Sequence, residues 1–161
     1  MHATPTGSPG FMERAIALAV ENVTSGNGGP FGAVIVRDGV IVALGANQVT
    51  SSNDPTAHAE ITAIRNACRE LNSFSLAGCH LYTSCEPCPM CLAATYWARC
   101  EAIFYGASAE DAAAAGFDDA HLYREVALPH DQRSIPIHNL LPRQAMASFD
   151  AWRVHASRID Y

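Results

Sequence analysis

Thr56-Ala57-His58-Ala59-Glu60 and Pro87-Cys88-Pro89-Met90-Cys91 are the two stretches on which the rest of the chain hangs. One imidazole and two thiolates make three protein ligands, a set that leaves a zinc ion its fourth tetrahedral position for water. Zinc lowers the pKa of such a water toward neutrality, and Glu60 is then the expected proton carrier. Ile61, Ile64, Cys68 and Leu71 recur along one face and predict a helix over 58–71, with His58 three residues back on the same face. At 3.6 residues per turn Glu60 lies about 200° round from His58. Both therefore serve one site only across the open N-terminal end of that helix, where unpaired N–H groups and positive dipole character collect. Pro89 suits a first helical position. That makes Cys88 a helix cap, puts Cys91 about one turn above it, and favours both thiols as thiolates.

Working outward, residues 11–23 read as a helix, because Ile16, Ala19, Val20 and Val23 repeat at three- and four-residue spacing. The glycine-dense run 25–30 stops it. Two β-branched runs follow, 31–36 and 40–44, and Asp38-Gly39 between them is a hairpin signal. Residues 47–55 are polar and turn-rich. Strands are expected at 80–84 and 101–107, short helices at 109–115 and 118–125, and an irregular connection at 128–136. A strand over 137–141 and a final amphipathic helix over 143–157, with Met146, Phe149 and Trp152 in one row, complete the pattern. Alternating strands and helices predict an α/β class with a mixed sheet covered on both faces.

The chain has 161 residues, 49% of them hydrophobic and 16% charged, the balance of one globular domain over 11–161 with residues 1–10 as a mobile tail. No run has the length of a membrane span, and the first ten residues lack the basic start and apolar block of a secretory signal. All ten basic residues are arginines, scattered from Arg14 to Arg158, and the net charge is −6. A protein that tracks a phosphate backbone concentrates cations on one face, so the balance weighs against a nucleic-acid partner. Six cysteines without a signal segment read as reduced thiols in a cytoplasmic protein.

The rival to an open zinc site is a closed one. Cys85, Cys88 and Cys91 form two overlapping Cys-x-x-Cys pairs, so Cys85 would complete a Cys₃His set in a non-catalytic zinc module. Cys85 precedes Pro87, where the strand is still ending, so it is expected to face away. A closed site also leaves Glu60 without a purpose. Glu86 reads as a first-turn acid placed for the helix dipole.

With these residues in hand, the chain resembles the cytidine-deaminase superfamily, whose zinc signature is His-x-Glu followed by Pro-Cys-x-x-Cys. Within it the chain is similar to the bacterial guanine deaminases. The likeness runs through residues 28–36 (GGPFGAVIV), 50–60 (TSSNDPTAHAE), 81–91 (LYTSCEPCPMC), 96–99 (YWAR), 115–119 (AGFDD) and the terminal Tyr161. It implies a three-layer α/β/α fold and one Zn²⁺ per chain on His58, Cys88 and Cys91, with Glu60 catalytic. It implies hydrolytic deamination of a small purine base, guanine, to xanthine and ammonia. It also implies a homodimer whose C-terminal segment crosses to the partner's site. By the same resemblance Phe31 and Trp97 line the base pocket, while Asn47, Asp119 and Tyr161 orient the purine. Read without the resemblance, Phe31 and Trp97 are core, Asn47 is a loop residue bonded to its own backbone, and Asp119 is a helix cap. The zinc segments are shared by deaminases of cytosine, cytidine and tRNA adenosine, which remain alternatives.

Overall fold

Asp38 and Gly39 turn the chain back on itself with both residues at positive φ, 52° and 74°. This is the turn geometry whose twist matches that of the strands it joins. Those strands are β1 (Gly32–Arg37) and β2 (Val40–Ala46), paired antiparallel from Gly32↔Ala46 to Arg37↔Val40 with a register shift between Ile35 and Val36. β1 also pairs antiparallel with β3 (Cys79–Cys85), and β3 pairs parallel with β4 (Ala102–Ala107). The sheet order is β2-β1-β3-β4, a mixed sheet as expected.

The computed structural model describes residues 6–161, which divide into two compact units, one running to Tyr123 and the other Arg124–Tyr161. In the first unit α1 (Pro9–Thr24) covers one face of the sheet and α3 (Ala59–Glu70) the other. The alternation along β1 divides the core accordingly. Val34 and Val36 pack with Ala15 and Tyr82 on the α1 side. Ala33 and Ile35 pack with Ala63, Ala67 and Leu81 on the α3 side. Two layers of helix on a half-alternating sheet are the three-layer α/β/α arrangement. α4 (Pro89–Trp97) follows β3, and α5 (Ala109–Ala114) and α6 (Asp119–Ala127) follow β4. A four-residue helical turn, α2 (Val49–Ser52), interrupts the expected loop before the metal segment.

Gly45 sets the distance between β2 and α3. A Cβ there would stand 2.2 Å from the Ala59 carbonyl oxygen and 2.4 Å from the Ala63 nitrogen. The helix that carries the metal segment therefore rests directly on bare backbone.

Two expectations need correction. The tail expected over 1–10 falls partly on residues outside those described, and its described end is structured. α1 starts at Pro9 rather than Phe11, the Ser8 amide donates to the Tyr82 hydroxyl at 3.1 Å, and Gly7 lies against the Phe104 ring. A proline with fixed φ and no N–H belongs at a helix start, which is why α1 begins there. The strand expected at 137–141 does not form. Pro136 and Pro142 bracket the run, Leu141 takes positive φ (56°), and α7 (Pro142–Val154) begins at once. Proline also restricts the residue before it and offers no amide to a ladder.

Within the second unit a 3-10 turn (His130–Gln132) precedes α7. The Arg133 guanidinium donates to the carbonyls of Leu128 and Val126 at 3.0 and 3.1 Å. None of its described residues is buried.

Candidate active site and metal centre

His58 and Cys88 are the N-caps of α3 and α4, each with extended backbone and neither making a side-chain capping bond. An N-cap side chain stands at the mouth of its helix instead of along its flank. Two helices that converge on one point thus deliver both side chains to it, as the 200° argument requires. Cys91 sits in the first turn of α4 and is fully buried, and Cys88 is nearly so.

The His58 Nδ1 atom lies 3.7 Å from Cys88 Sγ and 3.6 Å from Cys91 Sγ. Among the described residues His58, Cys88 and Cys91 are the group whose donor atoms come together tightly enough for a metal ion. Their spacing tests the fit. Bonds of about 2.3 Å to sulfur and about 2.0 Å to nitrogen, meeting at the tetrahedral angle, hold nitrogen and sulfur about 3.5 Å apart. The observed separations agree, and the mixed nitrogen and sulfur donor set suits zinc.

Cys85 is outside the group. Its thiol, at the end of β3, donates to the Ser108 carbonyl at 3.6 Å, and burial pushes it up to about 11. The closed four-ligand site therefore lacks its fourth side chain.

Electrostatics within the cluster follow from proximity. A hydrogen bond from the Cys91 thiol brings Cys88 down to about 4. The same bond, with burial, pushes Cys91 up. His58 is raised, chiefly by its bond to Cys88. Glu60 lies in the first turn of α3, buried, with Cys91 Sγ at 3.4 Å from its Oε2. Burial holds its carboxyl above the usual carboxylate range. A buried carboxyl beside a metal ligand, held above the ordinary carboxylate range, suits repeated proton transfer.

A cavity of about 210 Å³ opens onto this centre. Phe31, Asn47, His58, Glu60, Cys88 and Asp119 line it. Phe31 is met edge-on by Phe117, with ring centroids 4.7 Å apart at 78°. Burial raises the Asp119 carboxyl, and the nearby Cys88 adds to that. A larger groove of about 530 Å³ runs beside α1 past Ile16, Val20 and Val23, but it holds no titratable side chain. The chemistry belongs to the smaller cavity.

Trp97 is not among its lining residues. It ends α4, 62% exposed, with the Arg99 guanidinium 5.9 Å from its ring. It stands nine positions past the cap at Cys88, and a rise of 1.5 Å per residue carries it about 13 Å along the axis. Tyr161 belongs to the second unit, where its ring stands edge-on to Trp152 at 6.5 Å.

Five lining residues were not singled out from the sequence: Gly29, Val49, Thr50, Glu86 and Phe117. Glu86 faces the cavity, and its Oε2 accepts the Ala109 amide at 3.0 Å, tying the metal loop to the start of α5. Phe117 sits beside Asp119 in the Gly-Phe-Asp-Asp run, and an aromatic next to a candidate ligand-binding acid was the signal available.

Comparison with known proteins agrees with this geometry. Residues 8–107 match the model of the cytidine and deoxycytidylate deaminase zinc-binding region. The chain is 56% identical to guanine deaminase of Bacillus subtilis across 94% of this chain and 97% of that one. An X-ray structure of guanine deaminase from Bacillus subtilis superposes with a TM-score of 0.93 at 54% identity, covering 97% of this chain and 99% of the other. A tRNA-specific adenosine deaminase of Aquifex aeolicus is 47% identical over 78 residues, 48% of this chain and 52% of that protein. This chain belongs to the cytidine and deoxycytidylate deaminase zinc-binding family, on the branch of the guanine deaminases, and carries one zinc site.

Proposed function

We propose that this chain hydrolyses guanine to xanthine and ammonia. The observation that carries the reading is the full-length likeness to a guanine deaminase, which extends well past the zinc segments common to the family. The likeness to tRNA adenosine deaminases is weaker: a solved tRNA:A34 deaminase covers 80% of this chain at 36% identity and a TM-score of 0.63.

When bound to His58, Cys88 and Cys91, zinc supplies an electrophile that acidifies water near neutral pH. Glu60 takes a proton from the attacking water and hands it to the ring nitrogen beside the carbon that bears the amino group. It then takes the second proton from the hydroxyl now on that carbon and gives it to the amine, so that the C–N bond breaks, ammonia leaves and the new carbonyl of xanthine forms. Its buried carboxyl, raised above the ordinary range, is suited to both directions of transfer. Phe31 and Phe117 offer aromatic faces to a flat base. Asp119 accepts the N–H groups that guanine presents and adenine arranges differently. Selectivity is large when the wrong base would leave a buried polar group unpaired.

We further infer a homodimer in which the C-terminal segment is exchanged and brings Tyr161 to the partner's site. The support is physical. The second unit buries none of its described residues, and Met146, Phe149 and Trp152 of α7 are 43%, 58% and 41% exposed. So short a segment lacks the core to stand alone. A reducing, cytoplasmic setting fits six free cysteines. No helix of the described residues is long and apolar enough to cross a membrane.

Ammonia release from guanine, adenine, cytosine and cytidine, with a separate assay on tRNA, tests the substrate. Guanine is expected to react fastest. Preference for cytidine or tRNA overturns the reading.

A further inference from the structure

Asn22 sits on α1, outside the cavity, and is buried. A buried amide must find partners for its hydrogens. Asn22 Nδ2 donates to the Gly29 carbonyl at 2.8 Å and to the Asn47 carbonyl at 2.9 Å, which uses both of its N–H groups. Gly29 and Asn47 both line the cavity. One side chain on the covering helix thus clamps two walls of the site.

The clamp acts on Asn47 in a particular sense. Asn47 Oδ1 accepts the Gly29 amide at 3.4 Å and the Val49 amide at 3.2 Å, while the Asn47 amide donates to the Phe31 carbonyl at 3.1 Å. An amide oxygen has two lone pairs, and here both go to backbone donors. The NH₂ end is what remains for a ligand. Gly28 closes the arrangement from the other side. A Cβ there would stand 2.3 Å from the Asn47 carbonyl oxygen and 2.9 Å from Asn22 Nδ2.

We propose that Asn22 is a positioning residue that acts through Asn47, holding its side chain as a hydrogen-bond donor toward an acceptor atom of the substrate. A base that offers a ring carbonyl oxygen or an unprotonated ring nitrogen at that point satisfies it. A base with an amino group there meets two facing donors. This rests on the reading that the cavity binds a nucleobase.

A double-mutant cycle tests it with Asn22→Ala, Asn47→Ala and the pair, each checked for zinc content and thermal midpoint. The base used is whichever one the intact chain deaminates fastest. The cycle is read twice, as kcat/KM and as calorimetric affinity for the base in a Glu60→Gln background. Asn22→Ala is expected to lower both readouts by about tenfold when Asn47 is present, and by less than about twofold when Asn47 is already alanine. Gly28→Ala, which displaces the same carbonyl, is expected to show the same dependence on Asn47 and serves if Asn22→Ala fails to fold. Equal losses in both backgrounds overturn the proposal, because they mean general loosening of the fold. A fastest base other than guanine overturns the substrate reading and leaves the cycle intact.

Discussion

Gly45→Ala probes how the sheet seats the metal helix. The added Cβ would meet backbone atoms of α3, the Ala59 oxygen at 2.2 Å and the Ala63 nitrogen at 2.4 Å, so no side chain can swing aside. Cβ atoms do not approach other atoms closer than 3.0 Å, and in a close-packed interior α3 must then withdraw from β2 by roughly 0.8 Å. His58 caps that helix and Glu60 lies in its first turn, so both move relative to Cys88 and Cys91 on α4. Misplacing reacting groups by about 1 Å costs about 100-fold in rate. Overpacking of this kind costs about 2 kcal/mol, or about 4–8 °C in thermal midpoint for a chain of this size. The assay is kcat/KM for ammonia release, alongside zinc content and a thermal melt. Gly10→Ala is the control: it lies in α1 with nothing within 4 Å of the new Cβ. It should leave the rate unchanged and gain up to about 1 kcal/mol. Full turnover in Gly45→Ala would refute the idea that the helix's seat on bare backbone fixes the site.

Other perturbations separate chemistry from scaffold. Glu60→Gln keeps the fold and one zinc per chain but lowers kcat by about 10²–10⁴-fold, the share that acid–base catalysis typically carries; near-normal turnover would reject Glu60 as the proton carrier. Cys85→Ala retains its zinc and its rate and loses only about 1 kcal/mol of stability. Zinc loss in that variant, measured by atomic absorption, would revive the closed Cys₃His site. Removal of the last few residues, Tyr161 included, is expected to cut turnover far more than it lowers the melting midpoint. Normal kinetics after truncation would remove Tyr161 from the site.

Much of the scaffold was legible because local chemistry and tertiary structure agree. Asp38-Gly39 marked the hairpin, and Pro89 marked the start of α4. The angular offset between His58 and Glu60 placed the site at a helix mouth before any coordinates. What escaped notice depends on geometry that periodicity does not carry. Trp97 belongs to the matched Tyr-Trp-Ala-Arg run, but only the length of α4 shows how far it stands from Cys88. The run 137–141 has strand-like residues, and the flanking prolines outweigh them. Glu86 passed as a dipole acid because its bond to Ala109 spans the β3–α4 loop and α5. Asn22 gave no signal at all, since its partners at 29 and 47 come together only when α1 lies across the sheet.

The two helix caps carry a consequence for how such a protein changes over time. Serine, threonine or aspartate at position 58 or 88 would bond the exposed amides of the first turn and firm up each helix by about 1 kcal/mol. Histidine and cysteine make no such capping bond there. Bound zinc stabilises the native ligands by more than a cap would add, so only breeding for heat resistance in zinc-free medium would reward replacements that erase the metal centre. A screen that scores only folded protein should enrich inert variants there.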